Sequence, residues 1–132
     1  MPGSFDHATI VASDLQRSVA FYDAAFGALD IARIAEYGDE EEDDAPVDAV
    51  AWGTSEQAVL WVVKGDAPTR HAHLRLRADS RSQVEEFHRA ASEVGGRSGS
   101  APRRWAIYRE GEFSAVVLDP DGNSVEAVSA ES

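Results

Sequence analysis

A chain of 132 residues with 43% hydrophobic and 27% charged residues has the length and composition of one globular domain with a real core. It holds no cysteine, which excludes disulfide scaffolds, cysteine-ligated zinc and thiol nucleophiles. The net charge is -12, and the 11 Arg and one Lys are spread along the chain rather than grouped, which argues against nucleic acid as a partner.

Much of the negative charge is local. Glu36, Asp39, Glu40, Glu41, Glu42, Asp43, Asp44 and Asp48 fall within 13 residues that contain no base. Such a run repels itself and reads as a solvated loop; the alternative is an attractive field for a cationic ligand. The longest strongly apolar run, Ala58 to Val63, is far too short to cross a bilayer. The first residues, Met-Pro-Gly-Ser-Phe-Asp-His, show neither the basic region nor the apolar core of a leader. The expectation is a cytoplasmic protein without membrane contact.

In chain order, Phe5 to Ala12 alternates as a strand, with Phe5, His7, Thr9 and Val11 on one face. Ser13-Asp14-Leu15-Gln16 has the pattern of a capping box, with Ser13 as the cap. Leu15, Val19, Tyr22 and Phe26 recur at helical spacing up to a stop at Gly27. Strands are expected over Leu29 to Tyr37, Val47 to Trp52 and Ala58 to Val63, so the first half reads β-α-β-β-β.

The second half repeats that order. His71 to Ala78 is a strand with Ala72, Leu74, Leu76 and Ala78 on one face and His71, His73, Arg75 and Arg77 on the other. The polar face is either ordinary wet sheet or the wall of a polar cavity. Ser80 and Gln83 form a second capping box, and Val84, Phe87, Ala91 and Val94 give a helical stripe ending at Gly95-Gly96. A Gly/Ser/Pro/Arg loop runs to about Arg104; its Gly95 to Gly99 segment lacks the strand-then-helix setting of a phosphate loop. Strands are expected over Trp105 to Arg109, Phe113 to Leu118 and Asn123 to Ser129, the last two joined by the turn Asp119-Pro120-Asp121-Gly122.

Shifting the numbering by about 66 lays one half on the other. His7 falls on His73, Asp14 on Ser80, Phe21 on Phe87 and Ala24-Ala25 on Ala90-Ala91. The repeat therefore singles out His73 rather than His71. A helix follows each of these strands, so His7 and His73 should point away from the helices, toward a concave side. Glu126, between Val125 and Ala127 on the last strand, is either solvent-facing or buried with a partner, since burying a lone carboxylate is costly. Trp105 and Tyr108 are candidates for a cavity wall or for core, and His88 is expected to be exposed.

These stretches resemble the glyoxalase, bleomycin-resistance and extradiol-dioxygenase superfamily, the vicinal oxygen chelate fold. The resemblance rests on Phe5-Asp6-His7-Ala8-Thr9-Ile10-Val11 with Ser13-Asp14-Leu15 and Phe21-Tyr22, on His73 with Val84 and Phe87, and on Asp119-Pro120-Asp121-Gly122-Asn123-Ser124-Val125-Glu126. It implies an α+β domain of two tandem βαβββ modules, about residues 5–64 and 70–129, forming a curved mixed sheet around a cavity, in a homodimer. It also implies His7, His73 and Glu126 as ligands of a divalent metal ion such as Fe, Mn, Ni or Zn. Thr9, His71, Arg75, Trp105 and Tyr108 would line the substrate space, and Arg75 and Arg77 could hold an anionic group. The fourth strand, Ala58-Val59-Leu60-Trp61-Val62-Val63, offers no further ligand.

Two His and one carboxylate leave open positions on an ion and suit Fe(II) or Mn(II). One functional reading is thus a metal-dependent dioxygenase, lyase or thiol transferase acting on a small substrate with vicinal oxygens. A second is a metal-free small-molecule (drug) binding protein like the bleomycin-resistance members. A third is a fold retained for dimerisation or regulation.

Overall fold

The structure is a computed structural model that describes residues 7–38, 47–54, 57–105 and 111–130. Its elements are β1 (Ala8–Ala12), α1 (Leu15–Gly27), β2 (Ala32–Gly38), β3 (Val47–Thr54), β4 (Gln57–Lys64), β5 (His73–Arg77), α2 (Arg81–Glu93), β6 (Arg97–Arg104), β7 (Phe113–Leu118) and β8 (Ser124–Ser129). They form two four-stranded mixed sheets of identical order, β1-β4-β3-β2 and β5-β8-β7-β6. In each, the first strand pairs in parallel with the last, and the remaining pairs are antiparallel. The tandem βαβββ organisation expected from the repeat is the organisation observed, with the curved sheet divided into two open halves.

Each helix covers one face of the molecule's core. From α1 come Phe21, Tyr22 and Phe26, which meet Trp52 of β3 in a cluster of rings 4.9–6.2 Å apart. From α2 come Val84, Phe87 and Ala91. Burying side chains of this size stabilises by about 1.5–3 kcal/mol each, and one continuous cluster joins both modules. Gly96 lies at that seam: a Cβ there would stand 2.5 Å from the Ala91 carbonyl oxygen and 2.8 Å from Phe21 Cε1. Only a residue without a side chain lets the chain after α2 pass so close to α1.

Local chemistry explains where the helices begin. Ser80 caps α2, its Oγ accepting from Gln83 N–H at 3.2 Å while Gln83 Oε1 accepts from Asp79 N–H at 2.7 Å. The cap of α1 is Asp14, not Ser13: the Asp14 carboxylate accepts from Arg17 N–H. Ser13 is committed elsewhere, donating to the side chain of Asp121 in the β7–β8 turn.

Two further expectations are corrected. Residues 97–104, expected as loop, form β6, an edge strand whose pairing with β7 shifts register twice; an edge position tolerates Pro102, which has no N–H to donate. His71 lies outside β5 because its backbone adopts the left-handed conformation (φ 63°), which ends the extended alternation two residues before His73. The expected strand over Trp105 to Arg109 falls mostly outside the described residues.

Candidate functional site

The face of the second sheet turned away from α2 carries the site. Leu74 and Leu76 pack toward the core, so alternation places His73, Arg75 and Arg77 on the opposite face, where all three are exposed. Parallel pairing sets Arg75 beside Glu126 of β8, and β7 places Val116 on the other side of Glu126.

Glu126 is fully buried although it is a carboxylate. Its Oε1 lies 3.0 Å from His73 Nε2 and 3.5 Å from Arg75 Nε. An isolated buried carboxylate would cost several kcal/mol, and the guanidinium and imidazole offset that cost. Arg75 also pairs with Glu112. The hydrogen bond to Glu112 above all holds the Arg75 guanidinium above its usual range; burial, the next effect, opposes it, and the nearby Glu112 and Glu126 charges add to the rise. The polar face is therefore neither plain wet sheet nor closed core: its rim is exposed and its centre is covered.

Two cavities open on these residues. One, of about 350 Å³, lies between the modules and is lined by Ala8, Phe26, Val59 and Leu60 from the first and by His73 and Arg75 among others from the second. The other, about 430 Å³, is lined by Arg75, Arg77, Asp79, Glu112 and Ser129 among others. Both have the size of a small-molecule site.

The residues expected from the sequence are brought together unequally. His73, Glu126 and Arg75 form one cluster. His7 is exposed and immediately precedes Ala8, which lines the cavity that His73 also lines. Among the described residues no three His, Asp or Glu side chains converge as a metal site. Thr9 is exposed on β1 and pairs with Trp61. His71 is exposed outside the strand. The Trp105 ring lies under the Arg103 guanidinium and donates Nε1–H to the buried Ser114 hydroxyl at 2.7 Å, so it packs beside the same sheet face. Tyr108 lies outside the described residues. His88, expected to be exposed, is half-buried against Ser98 Oγ at 2.8 Å.

Sequence reasoning missed Trp61. Thr9 pairs with Trp61 as Arg75 pairs with Glu126, so the indole occupies the register position at which the second module holds its carboxylate. Trp61 stacks on Tyr37 with centroids 5.5 Å apart and planes 24° from parallel. The face of the first sheet that corresponds to the ionic face of the second is therefore aromatic. Only the strand register reveals this equivalence.

Part of the expected donor set has the spacing of ligands on one divalent ion. His73 Nε2 and Glu126 Oε1 are two of the three expected donors and already face each other at 3.0 Å. Neighbouring ligands bound to one ion at about 2.0–2.2 Å stand roughly that far apart. These two atoms fit; His7, the third expected donor, is exposed and does not converge with them.

The comparisons agree with this architecture. The family model of the Glyoxalase/Bleomycin resistance protein/Dioxygenase superfamily matches residues 4–127, and the chain belongs to that superfamily. No relative was found among curated proteins. Among solved structures, the chain is similar to a glyoxalase/bleomycin resistance protein from Albidiferax ferrireducens T118, with a TM-score of 0.74, 24% identity, and 95% of this chain and 97% of that one covered. It is also similar to lactoylglutathione lyase from Agrobacterium tumefaciens, with a TM-score of 0.65, 22% identity, and 98% and 96% covered. A third similar structure is a mutant of the fosfomycin resistance protein FosX from Listeria monocytogenes, solved with Mn(II) and 1S,2S-dihydroxypropylphosphonic acid, with a TM-score of 0.67, 15% identity, and 100% and 93% covered. At these identities the likeness is one of fold. Among the described residues no helix is long and apolar enough to cross a membrane.

Proposed function

We propose that this chain is a metal-dependent enzyme acting on a small substrate with vicinal oxygens, by dioxygenase, lyase or thiol-transfer chemistry. His7, His73 and Glu126 would hold a divalent ion. The observation that carries the reading is the fully buried Glu126 carboxylate in contact with His73 Nε2 on a sheet face bordering two cavities. The FosX structure with Mn(II) and a diol phosphonate supports it by fold. When bound, the ion supplies a Lewis acid for substrate oxygens.

The chain's own residues have separable tasks. Glu126 orients the His73 imidazole by accepting at Nε2 or by sharing its coordination. Arg75 balances the buried carboxylate and, with Arg77, presents guanidinium groups to an anionic part of the substrate. Trp61 and Tyr37 form an aromatic stack on the corresponding face of the first sheet. The open edges of both sheets among the described residues support assembly as a homodimer, which light scattering after gel filtration would report as twice the chain mass.

Metal content of protein purified without chelator, measured beside His73→Ala, tests the function. Wild type is expected to retain close to one Fe, Mn, Ni or Zn per chain after reconstitution and His73→Ala far less. A wild type that binds none of these, or a variant that binds equally, contradicts the proposal. Because the imidazoles must be neutral to ligate, affinity is expected to fall as pH is lowered.

A further inference from the structure

Two buried polar groups at the β7–β8 turn are not used by the chemistry above. Asp119 and Asn123 are almost fully buried, and their bonds run to both modules. Asp119 accepts from Tyr22 Oη of α1 at 2.7 Å, from Asp121 N–H and Asn123 N–H at 2.9 Å, and from Asn123 Nδ2 at 3.0 Å. Asn123 Nδ2 donates also to the Thr69 carbonyl at 2.8 Å, and its Oδ1 accepts from Ala72 N–H at 3.0 Å. Thr69 in turn exchanges two bonds with Val11, its Oγ1 accepting from Val11 N–H and its N–H donating to Val11 O. Ser124 N–H donates to Ala72 O at 2.8 Å.

The placement of these bonds is specific. Ala72 immediately precedes His73, Asn123 lies three residues before Glu126, and Val11 belongs to the strand that follows His7. The chain enters β5 through His71, a non-glycine residue held at φ 63°, a conformation that costs free energy unless its surroundings impose it. The bond between Ala72 and Asn123 fixes the strand start just beyond that point. Gly122 (φ 92°) supplies the turn that aims Asn123 back at the linker.

We propose that the Asp119–Asn123 pair, anchored by Tyr22, is a positioning network that sets the register of β5 against β8, so that His73 Nε2 meets Glu126 Oε1. Asn123 is its central positioning residue, acting through Ala72 without touching the site. The inference rests on the preceding functional reading only for what His73 does once placed; the contact itself exists without metal.

The test is therefore made on chelator-treated protein. A carboxylate can only accept, so contact with Glu126 keeps the proton of neutral His73 on Nε2, and the nitrogen chemical shifts of the imidazole report that tautomer by NMR. Wild type is expected to show one predominantly Nε2–H population. Asn123→Ala is expected to give a mixture while amide dispersion stays native, and Tyr22→Phe a smaller change of the same kind. Val84→Ala, a core truncation within α2, should leave the His73 signals unmoved. An Asn123→Ala protein that keeps the wild-type tautomer overturns the proposal, as does an equal change in Val84→Ala. Should Asn123→Ala fail to fold, Tyr22→Phe decides: an unmoved His73 overturns the network and a shifted one supports it. Absence of metal binding would overturn the preceding section and leave this result standing.

Discussion

The two sheets share strand order, pairing sense and the register of their parallel pairs, yet their corresponding faces carry opposite chemistry. On the second, Arg75, His73 and Glu126 form an ionic cluster around a buried carboxylate. On the first, the equivalent positions are Thr9, His7 and Trp61, and the indole stacks on Tyr37 instead of holding a charge. The difference teaches that the duplicated scaffold fixes where side chains point while leaving what they do open to substitution. One module carries an ionic cluster on this face, and the other an aromatic stack.

The comparison treats the modules as one body, and the most severe way to break it is to loosen their joint. Tyr22→Phe removes a buried hydroxyl that donates to Asp119. Bonds to charged groups contribute about 1.5–3 kcal/mol, so a loss of that size is expected in urea unfolding. The same variant has a pH signature. Burial first, and then the Asp119 charge, push the Tyr22 phenol well above its usual range. An unfolded Tyr ionises near pH ~10 while the folded one does not, so the unfolded state binds fewer protons there. Stability present below that pH is lost as pH rises, by about 1.4 kcal/mol per unit for one group. Tyr22→Phe should flatten the alkaline decline by one proton's worth; an unchanged slope would contradict the assignment.

Converting one module toward the other sharpens the contrast. Trp61→Glu places a carboxylate at the register position of Glu126 and is expected to raise Mn(II) affinity about tenfold, in line with the reach of single supporting groups on metal sites. Calorimetric titration measures it, and unchanged affinity would mean that the two register positions do not face one ion. The smallest effect is expected from Tyr37→Ala. Tyr37 is 54% exposed, so losing its stack on Trp61 should cost about 0.5–1.5 kcal/mol in thermal or urea unfolding and leave metal affinity untouched.

Much of this was legible in the sequence where the cause is local. Helical spacing located α1 and α2, the Ser80–Gln83 box marked the start of α2, and the 66-residue shift between His7 and His73 revealed the duplication. Where the cause is distant, the reading failed. Ser13 looks like a cap but bonds Asp121, 108 residues away, which leaves Asp14 to cap α1. The segment 97–104 has the composition of a loop and becomes a strand because β7 offers it an edge. Asp119 reads as a turn residue and Asn123 as the start of the last strand, and nothing near them in sequence shows their bonds to Tyr22, Thr69 and Ala72. Trp61 stands in a strand that offers no ligand, and its correspondence with Glu126 exists only in the pairing of strands.

The central proposal is that Glu126, in the ionic cluster of the second module, is needed to hold the metal, and that Trp61, at the corresponding position of the first, is not a ligand. Mn(II) titration of Glu126→Ala beside Trp61→Ala, with folding of each verified by circular dichroism, tests it most directly. The account predicts that Glu126→Ala abolishes measurable binding while Trp61→Ala binds within about threefold of wild type, a difference below one kcal/mol. Retained affinity in Glu126→Ala, or equal loss in both variants, would contradict it.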